Sequence, residues 1–302
     1  MLSKVVVGTD FSSTSEAALD HAAMLARNNG AELHVVHVRA PLAAFEAPHA
    51  QANAPERERY EQHLEQQARH ALEDVQAQAP VTVKRQLIEG KAPEEALVDY
   101  AQSAGANLIV LGTHGRRGLP RLVLGSVAER VVRTAPLPVL VVPPGAKLDT
   151  AAQAYSRILS PIDFSAASHA ALQHAAQLAQ QHAAKLYALH VVEAVVYPTF
   201  YTPHTPGPTN SGALTLTRQA AEQLEAWLRR LPANIQYEVL IGEGEAQRVI
   251  IDDAKHHAID LIVMATAGLS GMRRVLLGSV TERVVRQAPC PVLVTRASEA
   301  PS

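Results

Sequence analysis

The chain repeats one pattern at a spacing of 153 positions within its 302 residues. Residues 4–12, Lys-Val-Val-Val-Gly-Thr-Asp-Phe-Ser, return at 157–165 as Arg-Ile-Leu-Ser-Pro-Ile-Asp-Phe-Ser. Far along the chain, Ala-Pro-Leu-Pro-Val-Leu-Val at 135–141 returns at 288–294 with one residue changed. The shared register at both ends argues against a chance match, and the period is much longer than the roughly 20–50 residues of a solenoid unit. The pattern therefore predicts a duplicated domain.

Each copy is long enough to bury a core of its own. Pro-Pro-Gly at 143–145 and the small polar residues after it interrupt the periodic pattern between the copies. We therefore predict one domain at 1–146 and a second at 154–302.

Within each copy, short apolar runs alternate with amphipathic helical patterns. Val5–Val7 is a continuous β-branched run, which is typical of a strand covered on both faces. Ser13 and Glu16 have capping-box spacing before the next helix. The pattern of the first copy predicts strands at 5–7, 33–38, 81–87, 108–111 and 139–142, and helices at 13–30, 56–78, 93–103 and 126–133. This alternation implies a parallel α/β sheet with right-handed crossovers.

Composition excludes several classes of protein. Lys and Arg number 27 and Asp and Glu 29, for a net charge of -2, so the chain lacks the basic excess of a non-specific nucleic-acid binder. The single cysteine, Cys290, allows neither an intrachain disulfide nor a Cys-rich zinc site. No stretch approaches the roughly 18 apolar residues of a membrane span, and the first apolar run is too short for a signal peptide. We expect a cytoplasmic protein that binds neither nucleic acid nor membrane.

The glycines after the fourth predicted strand are the strongest candidate site, because open α/β sheets bind ligands beyond the carboxyl ends of their strands. The first copy reads Gly112, two residues, Gly115, nine residues, then Gly125-Ser126 and a helix. Glycines let the backbone approach a ligand closely, and the helix start offers free amides to an anion. These features suit a phosphate, although neither a G-x-G-x-x-G motif nor a P-loop is present. A glycine-rich turn with a plain serine cap stays open as the alternative.

Together, these motifs resemble the universal stress protein family in its tandem two-domain form, over nearly the whole chain. The shared features are Asp-Phe-Ser after the first strand, the His-Val pairs, the G-x2-G-x9-G-[ST] loop and the terminal Pro-Val-Leu-Val strand. The resemblance implies that each half is a Rossmann-like, five-stranded parallel sheet of order 3-2-1-4-5, sandwiched by helices. It also implies an ATP site, with magnesium accompanying the nucleotide, and a role as a stress-response regulator.

By the same resemblance, Asp10 contacts the nucleoside, and the backbone of Val38 meets adenine. The residues that we predict to bind nucleotide in the first half are Asp10, Val38, Gly112, His114, Gly115, Arg116, Gly125, Ser126 and Val127. The second half departs from the family pattern because Ala265 replaces the first glycine, so we expect the first half to be the better ATP site. A second site stays open at Asp163, Val191, Ala265, Gly268, Gly278, Ser279 and Val280.

Simpler roles stay open for some of these residues. Asp10 and Asp163 have positions that also suit caps of the helices that follow. His37 and His190 fall on predicted buried strands, where we expect hydrogen-bonded core residues rather than metal ligands. We predict no metal site.

The sequence contains no evident set of nucleophile, base and orienting residue, so we name no catalytic residue. Slow ATP hydrolysis stays open, as does a different class of function, a ligand-independent interaction protein with degenerate nucleotide sites and unknown protein partners. The resemblance also implies that the two halves form a pseudo-dimer within one chain. A further homodimer of whole chains is left open.

Overall fold

The computed structural model describes residues 2–40, 54–76, 81–113, 124–146, 148, 154–192, 210–266 and 277–296. The chain divides into two compact units, residues 1–153 and 154–302.

The first unit is an α/β domain built on a parallel sheet. Its strands lie in the order β3-β2-β1-β4-β5, and each neighbouring pair is parallel. This order confirms the predicted fold. Along the chain, its elements are β1 (Lys4–Gly8), α1 (Ser13–Asn29), β2 (Glu32–Arg39), α2 (Ala54–Glu73), β3 (Val83–Glu89), α3 (Pro93–Ser103), β4 (Leu108–Gly112), α4 (Ser126–Thr134) and β5 (Val139–Val142).

The second unit repeats this architecture. Its strands lie in the order β8-β7-β6-β9-β10, again with parallel neighbours. The elements are β6 (Arg157–Ile162), α5 (Ala166–His182), β7 (Lys185–Val192), α6 (Asn210–Leu228), β8 (Tyr237–Glu243), α7 (Ala246–His256), β9 (Leu261–Ala265), α8 (Ser279–Gln287) and β10 (Val292–Thr295).

The central strand of the first unit explains why the sheet has helices on both faces. Val5, Val6 and Val7 of β1 are fully buried, as expected for a strand covered from both sides. The strand order reverses direction at β1, so right-handed crossovers place α1 and α2 on one face and α3 and α4 on the other. In agreement, α1 packs on β1 and β4, while α3 packs against α4.

Several element ends differ from the sequence prediction, most of them by one or two residues. β3 begins at Val83 rather than 81, because its pairing with β2 runs from Leu33↔Val83 to Arg39↔Glu89. Its residues are a mixture of half-buried and exposed, which blurs the apolar alternation that marks a strand. α2 ends at Glu73, five residues before the predicted end at 78.

Within the described segments, no helix is long and apolar enough to cross a membrane. Nor do these segments bring together three or more His, Cys, Asp or Glu side chains in a group suited to a metal ion.

Candidate functional site

Three of the predicted site residues of the first unit lie at the carboxyl edge of its sheet. The pairing Gly8↔Val36 puts Asp10 and Val38 at the same level, each two residues further along. The pairing Val7↔Val110 brings the end of β4, Gly112, to that level. β1 lies between β2 and β4, where the chain connections diverge, so this edge is the topological switch point at which such sheets bind ligands.

The turn after β1 is held in an unusual conformation. Phe11 has φ 63, a left-handed geometry that costs a bulky residue about 1–2 kcal/mol. Its amide donates to Thr9 Oγ1 at 3.0 Å. Asp10 Oδ1 accepts from the Ser12 amide at 3.1 Å and from the Ser12 hydroxyl at 2.6 Å. The turn therefore presents the backbone after β1 in a fixed shape.

Ser12, rather than Ser13 or Asp10, is the N-cap of α1. Its hydroxyl accepts from the Ser15 amide at 3.3 Å. The predicted capping box of Ser13 and Glu16 is therefore not formed, because the N-cap lies one residue earlier and the Ser12 amide donates to Asp10 instead. Asp10 acts on the cap indirectly, by orienting the serine. The second unit has the same arrangement, in which Asp163 Oδ1 accepts from the amide and the hydroxyl of the N-cap Ser165 at 3.0 and 2.6 Å.

A histidine on the neighbouring strand supports each of these turns. His37 Nδ1 donates to the Thr9 backbone oxygen at 2.7 Å, because a carbonyl oxygen can only accept. The imidazole also lies 4.5 Å from the Phe11 ring, centre to centre. In the second unit, His190 makes the same contacts with the Ile162 oxygen, at 2.7 Å, and with the Phe164 ring, at 4.5 Å. The expected hydrogen bonds are confirmed, but both histidines are half-buried at the sheet edge rather than core residues. Their role in shaping the edge was not predicted from the sequence.

Gly112 ends β4 where the backbone meets the start of α1. A Cβ at this position would lie 2.8 Å from Thr14 Cγ2 and 3.0 Å from the Thr14 carbonyl carbon and oxygen. Glycine is required here by close packing. The missing side chain would point to α1, which covers the opposite face of the sheet from α4. In the second unit, Ala265 ends β9 and is buried, and the position equivalent to Thr14 is the smaller Ala167.

The start of α4 has backbone amides that the helix itself leaves without a partner. The Gly125 amide donates to the Thr113 oxygen at 2.7 Å, and the Gly125 oxygen accepts from the Glu129 amide at 2.9 Å. No side chain caps the helix at Gly125, and the first amides of an α-helix have no partner within it. Ser126, the first helical residue, is exposed. Because the helix dipole adds partial positive charge, this terminus suits an anion.

The second unit repeats this helix start closely. The Gly278 amide donates to the Thr266 oxygen at 2.7 Å, no side chain caps α8, and Ser279 is exposed. Val127 and Val280 are both half-buried in the first turns of their helices. One contact is particular to this unit: the Thr281 hydroxyl donates to the Ala265 oxygen at 2.8 Å, inside the core.

The described residues thus bring most of the predicted site to one edge in each unit. In the first unit these are Asp10, Val38, Gly112, Gly125, Ser126 and Val127. In the second unit they are Asp163, Val191, Ala265, Gly278, Ser279 and Val280. The predicted contacts His114, Gly115, Arg116 and Gly268 lie outside the described residues.

An arginine that was not predicted as a site residue lies on each of the two helices. Arg130 of α4 forms an ion pair with Glu94 in the first turn of α3. Arg283 of α8 pairs with Glu245, the N-cap of α7, at 3.0 Å. The repeat could have revealed these arginines, because they lie 153 positions apart. Each follows the serine of its Gly-Ser pair, Ser126 or Ser279, by four residues.

Cys290 lies away from this edge, just before the amino end of β10. The thiol is buried, and its burial raises the pKa above the ordinary value, with a further contribution from Asp260. A thiol that resists ionisation is a poor nucleophile, in line with its interpretation as a small buried apolar residue.

Comparison with known proteins places both halves in one family. The model of the universal stress protein family matches residues 1–143 and again 154–296. A universal stress protein of Mycolicibacterium smegmatis is 30% identical, covering 97% of this chain and 96% of its own length. One from Mycobacterium tuberculosis H37Rv is also 30% identical, covering 97% of each.

Solved structures support the fold over the whole chain. A universal stress protein from Archaeoglobus fulgidus has a TM-score of 0.62 at 21% identity and covers 98% of both chains. A structure described as a putative universal stress protein from Pseudomonas aeruginosa has a TM-score of 0.63 at 18% identity, covering 98% of this chain and 93% of its own.

Proposed function

The chain belongs to the universal stress protein family, and from that premise we propose that its first half binds an adenine nucleotide, ATP, at the carboxyl edge of its sheet. The protein then acts as a stress-response regulator in the cytoplasm. Nucleotide occupancy shifts its conformation or its affinity for partners to the extent that ATP binds two states unequally.

The observation that carries this proposal is the start of α4. The helix begins at the switch-point edge, with no side-chain cap at Gly125 and with Ser126 exposed. An anion accepts from the free amides there, and the serine adds a hydroxyl donor. An ordinary helix cap would fill this position with its own side chain, so the donor set fits a phosphate.

The remaining edge residues fit the nucleoside part. Asp10 belongs to a turn fixed by Ser12, Phe11 and His37, so its position is set before a ligand arrives. Val38 is half-buried on the same edge and offers apolar surface and backbone groups to a base. ATP, bound with magnesium, supplies the negative charge that these amides and the serine hold.

The second half supports a second site. Its helix start repeats that of the first half, and Asp163 and Val191 occupy the corresponding positions. By analogy with Gly112, the Ala265 methyl group points to α5 rather than to α8. We therefore propose that this half also binds nucleotide, with an affinity that differs from that of the first.

The first test is to purify the chain without added nucleotide, denature it, and measure adenine nucleotide per chain by chromatography. One equivalent supports a single working site, and two support both. If the extract is empty, titration calorimetry with magnesium-ATP decides. No heat at millimolar ATP would remove the proposal in favour of the ligand-independent interaction protein. Phosphate release from the same samples measures any turnover.

A matched pair of variants assigns each site. Gly125 has φ -62 and ψ 142, and Gly278 has φ -60 and ψ 144, which are ordinary values for any residue. Gly125→Val therefore adds bulk at the helix entrance without backbone strain, and we expect at least about a tenfold loss of affinity at the first site alone. Gly278→Val is the counterpart for the second. Equal ATP binding by wild type and both variants would contradict the proposed location.

A further inference from the structure

Arg130 is placed to reach whatever binds at the start of α4. It lies four residues after Ser126, and residues at this spacing share one face of a helix. Long side chains on a helix lean toward its N-terminus, so the guanidinium lies over the first turn. Its contact with Glu94, in the first turn of α3, agrees with this direction, because both helices begin at the carboxyl edge.

The guanidinium is exposed while its acidic partner is not. The Arg130 side chain is 64% exposed and that of Glu94 only 10%. Glu94 follows Pro93 in the first turn of α3, where the helix dipole and free amides stabilise a carboxylate. The glutamate is therefore supported from its own helix. This support lowers the cost of separating the pair when Arg130 turns from Glu94 to a second anion.

The second half also pairs its arginine with a glutamate, but the glutamate occupies a different position in the repeat. Arg283 follows Ser279 at the same spacing and pairs with Glu245 at 3.0 Å. The residue equivalent to Glu94 is Gln247, which is buried and carries no charge. Each half thus supplies an acid to this arginine, but from non-equivalent positions. Both halves therefore share an arginine above the helix start and an acidic side chain that forms an ion pair with it.

We propose that Arg130, and Arg283 in the second half, exchange their glutamates for the outer phosphates of the bound nucleotide and so make the site select nucleotides by phosphate number. This inference rests on the proposed function. Adenosine and a monophosphate leave the ion pair intact, since the helix amides and serine suffice for one phosphate. A di- or triphosphate extends further, so its outer phosphates reach the arginine and replace the glutamate as its partner.

The test is titration calorimetry of the full chain with adenosine, AMP, ADP and ATP. In a double variant, Arg130→Gln with Arg283→Gln, we expect ATP affinity to fall about tenfold, with adenosine and AMP changed less than about twofold. The matched control is Arg133→Gln with Arg286→Gln. These arginines lie on the same helices and pair with Glu129 and Glu282 at 2.9 Å, so the control removes the same charge.

Two further variants separate phosphate binding from a structural role. Arg130→Lys keeps the charge, so we expect it to retain part of the preference for ATP. Glu94→Gln removes the competing charge, and we expect ATP binding to tighten about threefold while adenosine binding stays constant.

The ratio of ATP affinity to adenosine affinity distinguishes phosphate binding by the arginine from a packing role. An equal loss for both ligands in the arginine variant would mean a packing role and overturn the inference, as would an unchanged ratio. If the wild-type chain binds none of the four ligands, the proposed function fails as well. Failure of the inference alone is recognised by normal nucleotide binding with no change in that ratio.

Discussion

The two halves solve one packing problem at the sheet edge in opposite ways. The first half ends β4 with Gly112 beneath Thr14, and a Cβ there would lie 2.8 Å from the threonine methyl group. The second half ends β9 with Ala265, and the position above it is Ala167. Relative to the first half, the strand residue has gained a methyl group, and the helix residue has lost a methyl and a hydroxyl group. The substitution of Ala for Gly, which suggests a damaged site when taken alone, is half of a compensated pair.

The halves differ again one turn into the next helix. Thr281 of α8 donates to the Ala265 oxygen at 2.8 Å, whereas the equivalent residue of α4 is Ala128, which has no hydroxyl to donate. The second half thereby ties the end of its strand to the helix that starts the candidate site. We infer that its edge is less adaptable than that of the first half.

A third difference lies within the first helix of each half. His21 of α1 is 2% exposed, and burial lowers its pKa to about 4. The equivalent His174 of α5 is half-buried, and its Nδ1 donates to the Ala170 oxygen at 3.0 Å. A proton on His21 has to be accommodated in the core, so its protonation destabilises the folded first half.

The largest expected effect comes from His21 on acidification. Its folded pKa lies below the ordinary 6.5, so the unfolded chain takes up the proton first, and stability is lost as the pH falls from 6.5 toward 4. Between about pH 7 and about pH 4.5 we expect the free energy of unfolding to fall by about 2–3 kcal/mol on this account. Urea unfolding followed by circular dichroism measures this fall.

Variants isolate the histidine from other titrating groups. His21→Leu removes the proton site, so the acid loss should shrink by that amount. His174→Leu, the same substitution at the equivalent position of the second half, is the matched control. Parallel curves for wild type and His21→Leu would show that His21 is not the source of the acid sensitivity.

The second prediction concerns variants that give the first half the two residues found at the equivalent positions of the second half. Gly112→Ala places a methyl group against Thr14, and we expect the free energy of unfolding to fall by about 1–3 kcal/mol, as for other overpacked cores. Adding Thr14→Ala recreates the pair of the second half and should recover most of the loss. Urea midpoints of the wild type, both single variants and the double variant measure the coupling.

The reverse change is the control for this cycle. Ala265→Gly should cost only about 0.5–1 kcal/mol, the ordinary penalty of glycine within a strand. Additive effects of Gly112→Ala and Thr14→Ala would contradict the compensated pair.

The repeat and the strand pattern predicted much of this edge. The strand order of both sheets, and with it the switch point, was implied by the family resemblance, whereas the alternation of strands and helices and the positions of Asp10 and Gly125 follow from features that are local in sequence. The cap of α1 did not, because Ser12 and Ser13 are both acceptable by spacing. The choice depends on Phe11 taking φ 63, which is supported from another strand by His37.

Contacts distant in sequence account for the rest. Glu94 and Arg130 each occupy an unremarkable helical position, and only the packing of α3 against α4 brings them together. The same holds for Gly112 and Thr14, which lie 98 positions apart and whose approach is seen only in the folded sheet. Such pairs cannot be identified from one sequence alone, because tertiary packing brings the two residues together.

The smallest expected effect tests the tie at the second edge. Thr281→Val keeps the shape of the side chain but leaves the buried Ala265 oxygen without this donor, so we expect a loss of about 1 kcal/mol in the second half. Trp227, the chain's one tryptophan, lies 5.4 Å from Phe164, ring to ring, so its fluorescence during urea unfolding reports on this half. Thr281→Ser keeps the hydroxyl and should stay close to wild type in stability.

Amide exchange at the start of α8 should speed up in Thr281→Val toward the rate at the start of α4, because the two edges then have the same backbone contacts. Unchanged exchange would mean that the tie adds stability without making the second edge any stiffer than the first.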